Sequence, residues 1–170
     1  LETMAEHSAV PVINALSDDF HPCQLLADLQ TFNEHRGDIH DAKIAFVGDG
    51  SSNVCHSWIN ASSMMKFSIT VGTLPQYHPK PEIASAAGAR CNVTDNVSEA
   101  VKDADLVITD TWAGMGQEKE KAERLALLSV FQVNAEVMDS AASDAIFMIV
   151  LSVLLVHFRP PIIFSSLVRI

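Results

Sequence analysis

"KIAFVGDGSSNVCHSWINASSMM" (43–65) reads as a strand, a turn and a helix in immediate succession. "KIAFV" is a buried apolar run that breaks at Gly48 and Gly50. Ser51, Ser52 and Asn53 are residue types that cap helices, and an apolar-periodic segment follows them. The unit recurs along the chain. "FSITVGT" (67–73), "ARCNVTD" (89–95) and "DLVITDTW" (105–112) read as further strands, and "AIFMIVL" (145–151) as a fifth. Helical segments fall between or beside them at 21–37, 81–88, 96–104 and 117–131. In the first of these, Leu25, Leu26, Leu29 and Phe32 keep helical spacing and Gly37 ends it. "VPVINAL" (10–16) reads as a short strand or extended piece. Strands alternating with helices of this length imply βαβ units, hence an α/β fold: a doubly wound parallel sheet with helices on both faces. In such a sheet the strand order reverses between 43–48 and 106–110, and ligands bind beyond the strand carboxyl ends at that reversal. "GDGSSN" (48–53) and "DTWAGMG" (110–116) therefore meet there.

The composition bounds the partners. With 170 residues the chain can bury a sizeable core, and 48 % apolar with 19 % charged residues describes a globular chain. A formal net charge of −10 argues against a nucleic-acid backbone, whose phosphates need clustered Lys and Arg. Cys23, Cys55 and Cys91 are odd in number and far apart, which points to a reducing compartment and a cytoplasmic location. The opening "LETMAEHSAV" shows no secretory signal and no initiator methionine, and reads as the middle of something.

The turn matches a dinucleotide-binding fingerprint only in part. Gly48 and Gly50 match the first two glycines of that fingerprint, but Asn53 stands at the third, and the next strand ends in "TVGT" with no acid for a ribose. No cofactor is expected. Asn53 either caps its helix or offers its amide to a small polar ligand, and spacing leaves both open. His21–Cys23 and Cys55–His56 lack the repeated spacing of a zinc site, so no metal is expected, and Cys55 and Cys91 read as small core residues. His35, His40 and His78 lie in polar surroundings. His21 differs, because it precedes Pro22 at a helix start, where backbone amides can converge on an oxygen.

"HPCQLLAD" (21–28), "FVGDGSSNVCHSW" (46–58), "ITDTWAGMGQE" (108–118) and "FQVNAEVMDSA" (131–141) together resemble the ornithine carbamoyltransferases of the aspartate/ornithine carbamoyltransferase superfamily. The resemblance runs from Leu1 to about Met148 and assigns 1–148 to an incomplete ornithine-binding domain, with 149–170 a divergent apolar tail. It implies that the δ-amino group of L-ornithine attacks the carbonyl of carbamoyl phosphate, giving L-citrulline and phosphate. His21 and Gln24 would then contact the carbamoyl group. Asn53 would bind the amino-acid carboxylate, Asp110 the α-ammonium, and the backbone at Met115 would help hold the carboxylate. It also implies a homo-oligomer, commonly a trimer.

Three departures qualify what is implied. Gly114 replaces the family's loop serine, removing a hydroxyl from the α-ammonium and loosening the loop. The family's HCLP motif has no counterpart: Val150 stands at its cysteine and Ser152 at its proline, and Arg159 is aligned by no motif. The Ser-Thr-Arg-Thr phosphate clamp of the amino-terminal domain does not occur in this sequence. A fragment inactive by itself is therefore expected, with a non-catalytic amino-acid-binding half-domain as the alternative. The apolar stretch "AIFMIVLSVLLVHF" (145–158) would span about 21 Å as a helix, short of a roughly 30 Å hydrocarbon core, so it reads as a buried strand and tail and not as a membrane span.

Overall fold

The computed structural model describes residues 1–112 and 121–150. Five strands, β1 (Lys43–Val47), β2 (Ser68–Gly72), β3 (Cys91–Thr94), β4 (Leu106–Asp110) and β5 (Ile146–Val150), form one sheet in the order β3-β2-β1-β4-β5. Every pairing is parallel. The chain winds outward from β1 through β2 to β3, then returns to the other side of β1 as β4 and continues to β5. The reversal lies between β1 and β4, as the sequence implies.

Helices α1 (Glu2–His7) and α2 (Pro22–Arg36) precede β1, and α3 (Asn53–Met65), α4 (Pro81–Ala87), α5 (Val97–Val101), α6 (Lys121–Leu128) and α7 (Ala135–Met138) occupy the connections between strands. Successive strand residues point to opposite faces, and the core divides accordingly. Ile44, Phe46, Leu106, Ile108 and Met148 pack with Leu29 and Phe32 of α2 and Trp58 of α3 on one face. Ala45, Val47 and Val107 pack with Val101, Leu128 and Phe131 on the other. Both faces are covered, which is why the central strands read as unbroken apolar runs.

Local chemistry sets the helix ends. The Ser52 hydroxyl accepts from Cys55 N–H at 3.2 Å and caps α3, so Asn53 is the first helical residue and not the cap. Asn96 accepts from Glu99 N–H at 3.1 Å and caps α5. Gly37 ends α2 at φ 84°, a region open to glycine. Residues 10–16 form no strand; they run as an irregular strap along the surface. His56 of α3, buried to 1 % exposure, joins the segment ahead of α2 to the start of α4. Its Nδ1–H donates to the Asp19 carbonyl at 3.2 Å, and its Nε2 accepts from Lys80 N–H at 3.3 Å. Burial holds the His56 imidazole below its usual pKa, keeping it neutral as that bonding requires. Among residues beyond the described ones is 117–120, the first turn expected of the 117–131 helix.

Helix α5 lies so close to β2 that a Cβ on Gly72 would stand 2.8 Å from Ala100 Cβ. Gly72→Ala should therefore destabilise the chain by about 1–3 kcal/mol through overpacking. Urea unfolding measures this, and an unchanged midpoint would mean that α5 moves off the sheet at no cost.

Candidate functional site

The site forms where the carboxyl ends of β1 and β4 meet the starts of α2 and α3. Along β4, Leu106 and Ile108 face α2 and α3, and the period of two puts Asp110 on that same face. Asp110 is partly buried, and the carboxylates of Asp49 and Asp28 act on it. Burial raises its pKa to about 7, against the lowering effect of the Thr111 N–H, which donates to Oδ1 at 2.6 Å, and of the Thr111 hydroxyl. The two neighbouring carboxylates raise it further.

His21, Gln24 and Asn53 are tied to one another by direct bonds. The Ser57 hydroxyl accepts from His21 N–H at 2.8 Å and donates to the Asn53 carbonyl at 2.8 Å, joining the start of α2 to the first turn of α3. His21 caps α2, its Nδ1 accepting from Gln24 N–H at 3.4 Å. That bond leaves the ring proton on Nε2, so the neutral imidazole is a donor at its outer nitrogen. Burial favours this neutral form by lowering the His21 pKa, opposed by a hydrogen bond to the Ala15 carbonyl. The Gln24 amide nitrogen donates to Asp28 Oδ1 at 2.9 Å. Because a carboxylate oxygen accepts there, the amide's nitrogen end is identified, and its oxygen is the end left for another group. The Asn53 amide nitrogen donates to the Ser17 carbonyl at 2.9 Å, spanning from α3 to the strap.

Four contributors went unread in the sequence. Ser57 is the hydroxyl bridge just described. Asp28 sits four residues after Gln24, a pairing distance on one helix face that could have flagged it. Asp49 is 6 % and Arg124 7 % exposed, and they form a buried ion pair that no motif announces. The sequence-predicted Gly114 and Met115 lie outside the described residues, as do Ser152, Arg159 and most of the 149–170 tail. Val150 is described: it is 7 % exposed and lies in register with Asp110 on the neighbouring strand. An isopropyl group thus flanks the carboxylate at the position where the resemblance leads one to expect a thiol. Cys55 and Cys91 pack in the α2–α3 core, and burial pushes the Cys91 thiol up to about 11, so neither is a nucleophile at neutral pH. His35, His40 and His78 are exposed.

Residues 40–152 match the family described as Aspartate/ornithine carbamoyltransferase, Asp/Orn binding domain, and residues 1–34 match its carbamoyl-P binding domain. The two matches part inside the stretch 1–148 that the sequence reading treats as one unit. The chain is 52 % identical over 148 residues to the anabolic ornithine carbamoyltransferase of Pseudomonas aeruginosa, covering 87 % of this chain and 48 % of that protein. It is 51 % identical over 148 residues to the ornithine carbamoyltransferase of Nitrosococcus oceani, again covering 87 % and 48 %. Among solved structures, the ornithine carbamoyltransferase of Pyrococcus furiosus superposes with a TM-score of 0.80 at 40 % identity, covering 89 % of this chain and 50 % of that one. That of Burkholderia thailandensis gives a TM-score of 0.79 at 36 % identity, covering 90 % and 49 %. The chain spans about half the length of the curated relatives it matches.

The raised Asp110 pKa has a consequence for stability. A carboxyl held near 7 when folded and at its ordinary value when unfolded costs stability once both states are ionised. The cost is full above pH 7, falls as pH drops through 7, and vanishes near pH 4. Asp110→Asn should therefore stabilise the empty chain at pH 8, by up to roughly 4 kcal/mol, and change little near pH 4. Thermal melts across that range check it; a variant less stable than the parent at pH 8 would contradict the assignment.

Proposed function

The chain belongs to the aspartate/ornithine carbamoyltransferase family, and on that footing we propose that it is the ornithine-binding part of an ornithine carbamoyltransferase. The observation that carries the reading is Asp110: a carboxylate at the end of a central strand, at the reversal of strand order, buried with no cation assigned to it among the described ion pairs. A ligand ammonium would supply the counter-charge. In this reading Asp110 takes the α-ammonium of L-ornithine and Asn53 its carboxylate, the backbone at Met115 helps hold that carboxylate, and Gly114 lacks the hydroxyl that would also meet the α-ammonium. The δ-amino group then reaches the carbamoyl carbon of carbamoyl phosphate, and phosphate leaves.

His21 and Gln24 are suited to the carbamoyl group in complementary ways. In the empty chain the Nε2–H of neutral His21 is the proton bonded to the Ala15 carbonyl; turned from it to the carbamoyl oxygen, where negative charge gathers in the tetrahedral transition state, it would be a donor of the kind that contributes roughly 2.7–4 kcal/mol in other acyl-transfer enzymes. One N–H of the Gln24 amide is engaged by Asp28, and its oxygen is free to accept from the carbamoyl NH2. That differs from a pair of donors. It orients the group while leaving His21 as the electrostatic catalyst. Carbamoyl phosphate and L-ornithine are thus the proposed partners, arginine biosynthesis the proposed role after the anabolic relative, the cytoplasm the proposed location given three free cysteines, and a trimer the proposed assembly. Val150 beside Asp110, in place of a thiol, favours the second reading, a half-domain that binds ornithine without turning it over.

Two outcomes test these readings. L-Ornithine affinity, followed by calorimetric titration, should rise with pH through about 7 as Asp110 ionises, and Asp110→Asn should bind at least tenfold more weakly with no such pH dependence. Affinity unaltered by that substitution would remove Asp110 from the site. The chain by itself should make no detectable citrulline, because it contains neither the Ser-Thr-Arg-Thr run nor the HCLP thiol and both serve the transition state. Turnover on the order of 10 per second, ordinary for an enzyme, would refute that.

A further inference from the structure

The two loops that carry Asn53 and Asp110 are bound to each other by more than the sheet. The Thr109 hydroxyl donates to the Val47 carbonyl at 2.7 Å, crossing from β4 to β1 just before both strands end. Beyond the strands, the Trp112 indole lies against the glycine turn, so that a Cβ on Gly48 would meet Trp112 Nε1 at 2.9 Å. Arg124 of α6 reaches in from the far side. Its Nε–H donates to the Trp112 carbonyl at 2.6 Å, its Nη2 pairs with Asp49 Oδ2, and its Cζ stands 4.7 Å from the centroid of the Tyr77 ring.

Asp49 works in two directions. While Oδ2 meets Arg124, Oδ1 accepts from Ser51 N–H at 3.0 Å and from the Ser51 hydroxyl at 2.6 Å, shaping the turn that starts α3. One guanidinium therefore holds the chain two residues before Ser51 on one side and two residues after Asp110 on the other. Arginine suits this task, because its planar fork meets separated acceptors in fixed geometry and stacks on an aromatic face. Its charge also matters: Asp49 acts on Asp110 as a like charge, and neutralising it limits that repulsion.

We propose that Arg124 is a positioning residue for amino-acid recognition, its guanidinium setting the spacing between the Asn53 and Asp110 loops. The proposal rests on the reading of those two residues as the ornithine site. Arg124 does not touch the ligand; it acts through Asp49 and the Trp112 carbonyl.

Arg124→Lys separates this role from simple stability. A lysine keeps the charge opposite Asp49 but cannot reproduce the fork that also holds Trp112. Calorimetric titration with L-ornithine at pH 8 should show affinity reduced roughly tenfold, with a melting midpoint close to the parent's. Asp49→Asn should weaken binding comparably, and the Arg124→Lys/Asp49→Asn pair should lose less than the product of the single effects, because both act through one clamp. Ornithine bound as tightly by Arg124→Lys or by Asp49→Asn as by the parent would overturn the clamp while leaving the site reading intact. So would two losses that multiply. A parent chain that binds no ornithine would overturn the site reading itself, and the clamp with it.

Discussion

The parallel pairing of β1 with β4 is the constraint on which the rest of the molecule depends. Ile44, Ala45 and Phe46 lie in register with Leu106, Val107 and Ile108, although the segments are some sixty residues apart in the chain. Because successive strands are added outward in opposite directions from this pair, the loops leaving its two strands diverge and leave a crevice between them. The start of α3, the end of β4 and the start of α2 all face that crevice. Backbone pairing in the sheet interior thus fixes where polar side chains can gather at its rim.

Charge is distributed unevenly around the crevice. Asp49 and Asp110 sit on adjacent strand exits, yet only Asp49 has Arg124 against it, buried on all sides. A buried pair of this kind compensates the desolvation of both ions only when the remaining hydrogen-bonding positions are filled; Ser51 and the Trp112 carbonyl fill them. Asp110 has hydroxyl and backbone N–H donors from Thr111 but no opposite charge among the described ion pairs, and burial, with Asp49 and Asp28 nearby, raises its pKa to about 7. A buried carboxylate of this kind weakens the fold at neutral pH, the usual cost of a polar residue kept where a strand ends in a crevice.

Helix α2 complicates the division of the chain into family domains. Its residues fall within the match to the carbamoyl-P binding domain, yet Leu25, Leu29 and Phe32 are core members of the sheet's first face. Ser17, Asp19 and His21 reach back to α3 through Asn53, His56 and Ser57. By sequence match residues 1–34 go with one domain, and by packing α2 is part of the other. Such a helix couples His21 and Gln24 to Asn53 through bonds that cross the boundary between the two family matches.

The strands, their alternation with helices and the point of reversal were legible in the sequence because burial on both faces leaves continuous apolar runs, and glycines punctuate them. Gly48, Gly50, Asn53 and Asp110 were legible for the same reason, as polar or flexible residues where such runs stop. The irregular course of 10–16 was not legible: an apolar string resembles a strand unless a partner strand is known, and none pairs with it. Nor was the cap at Ser52, since three adjacent residues could each have served and only backbone geometry distinguishes them. The Asp49–Arg124 pair, the Ser57 bridge and the Val150 contact with Asp110 join residues 75, 36 and 40 positions apart. Local pattern carries no trace of such pairings, because each charge or hydroxyl alone looks like an ordinary surface residue. The sequence by itself determined the sheet and the residues at its rim; the tertiary structure decided which carboxylate is neutralised and which is left open, because that depends on what the far end of the chain brings to it.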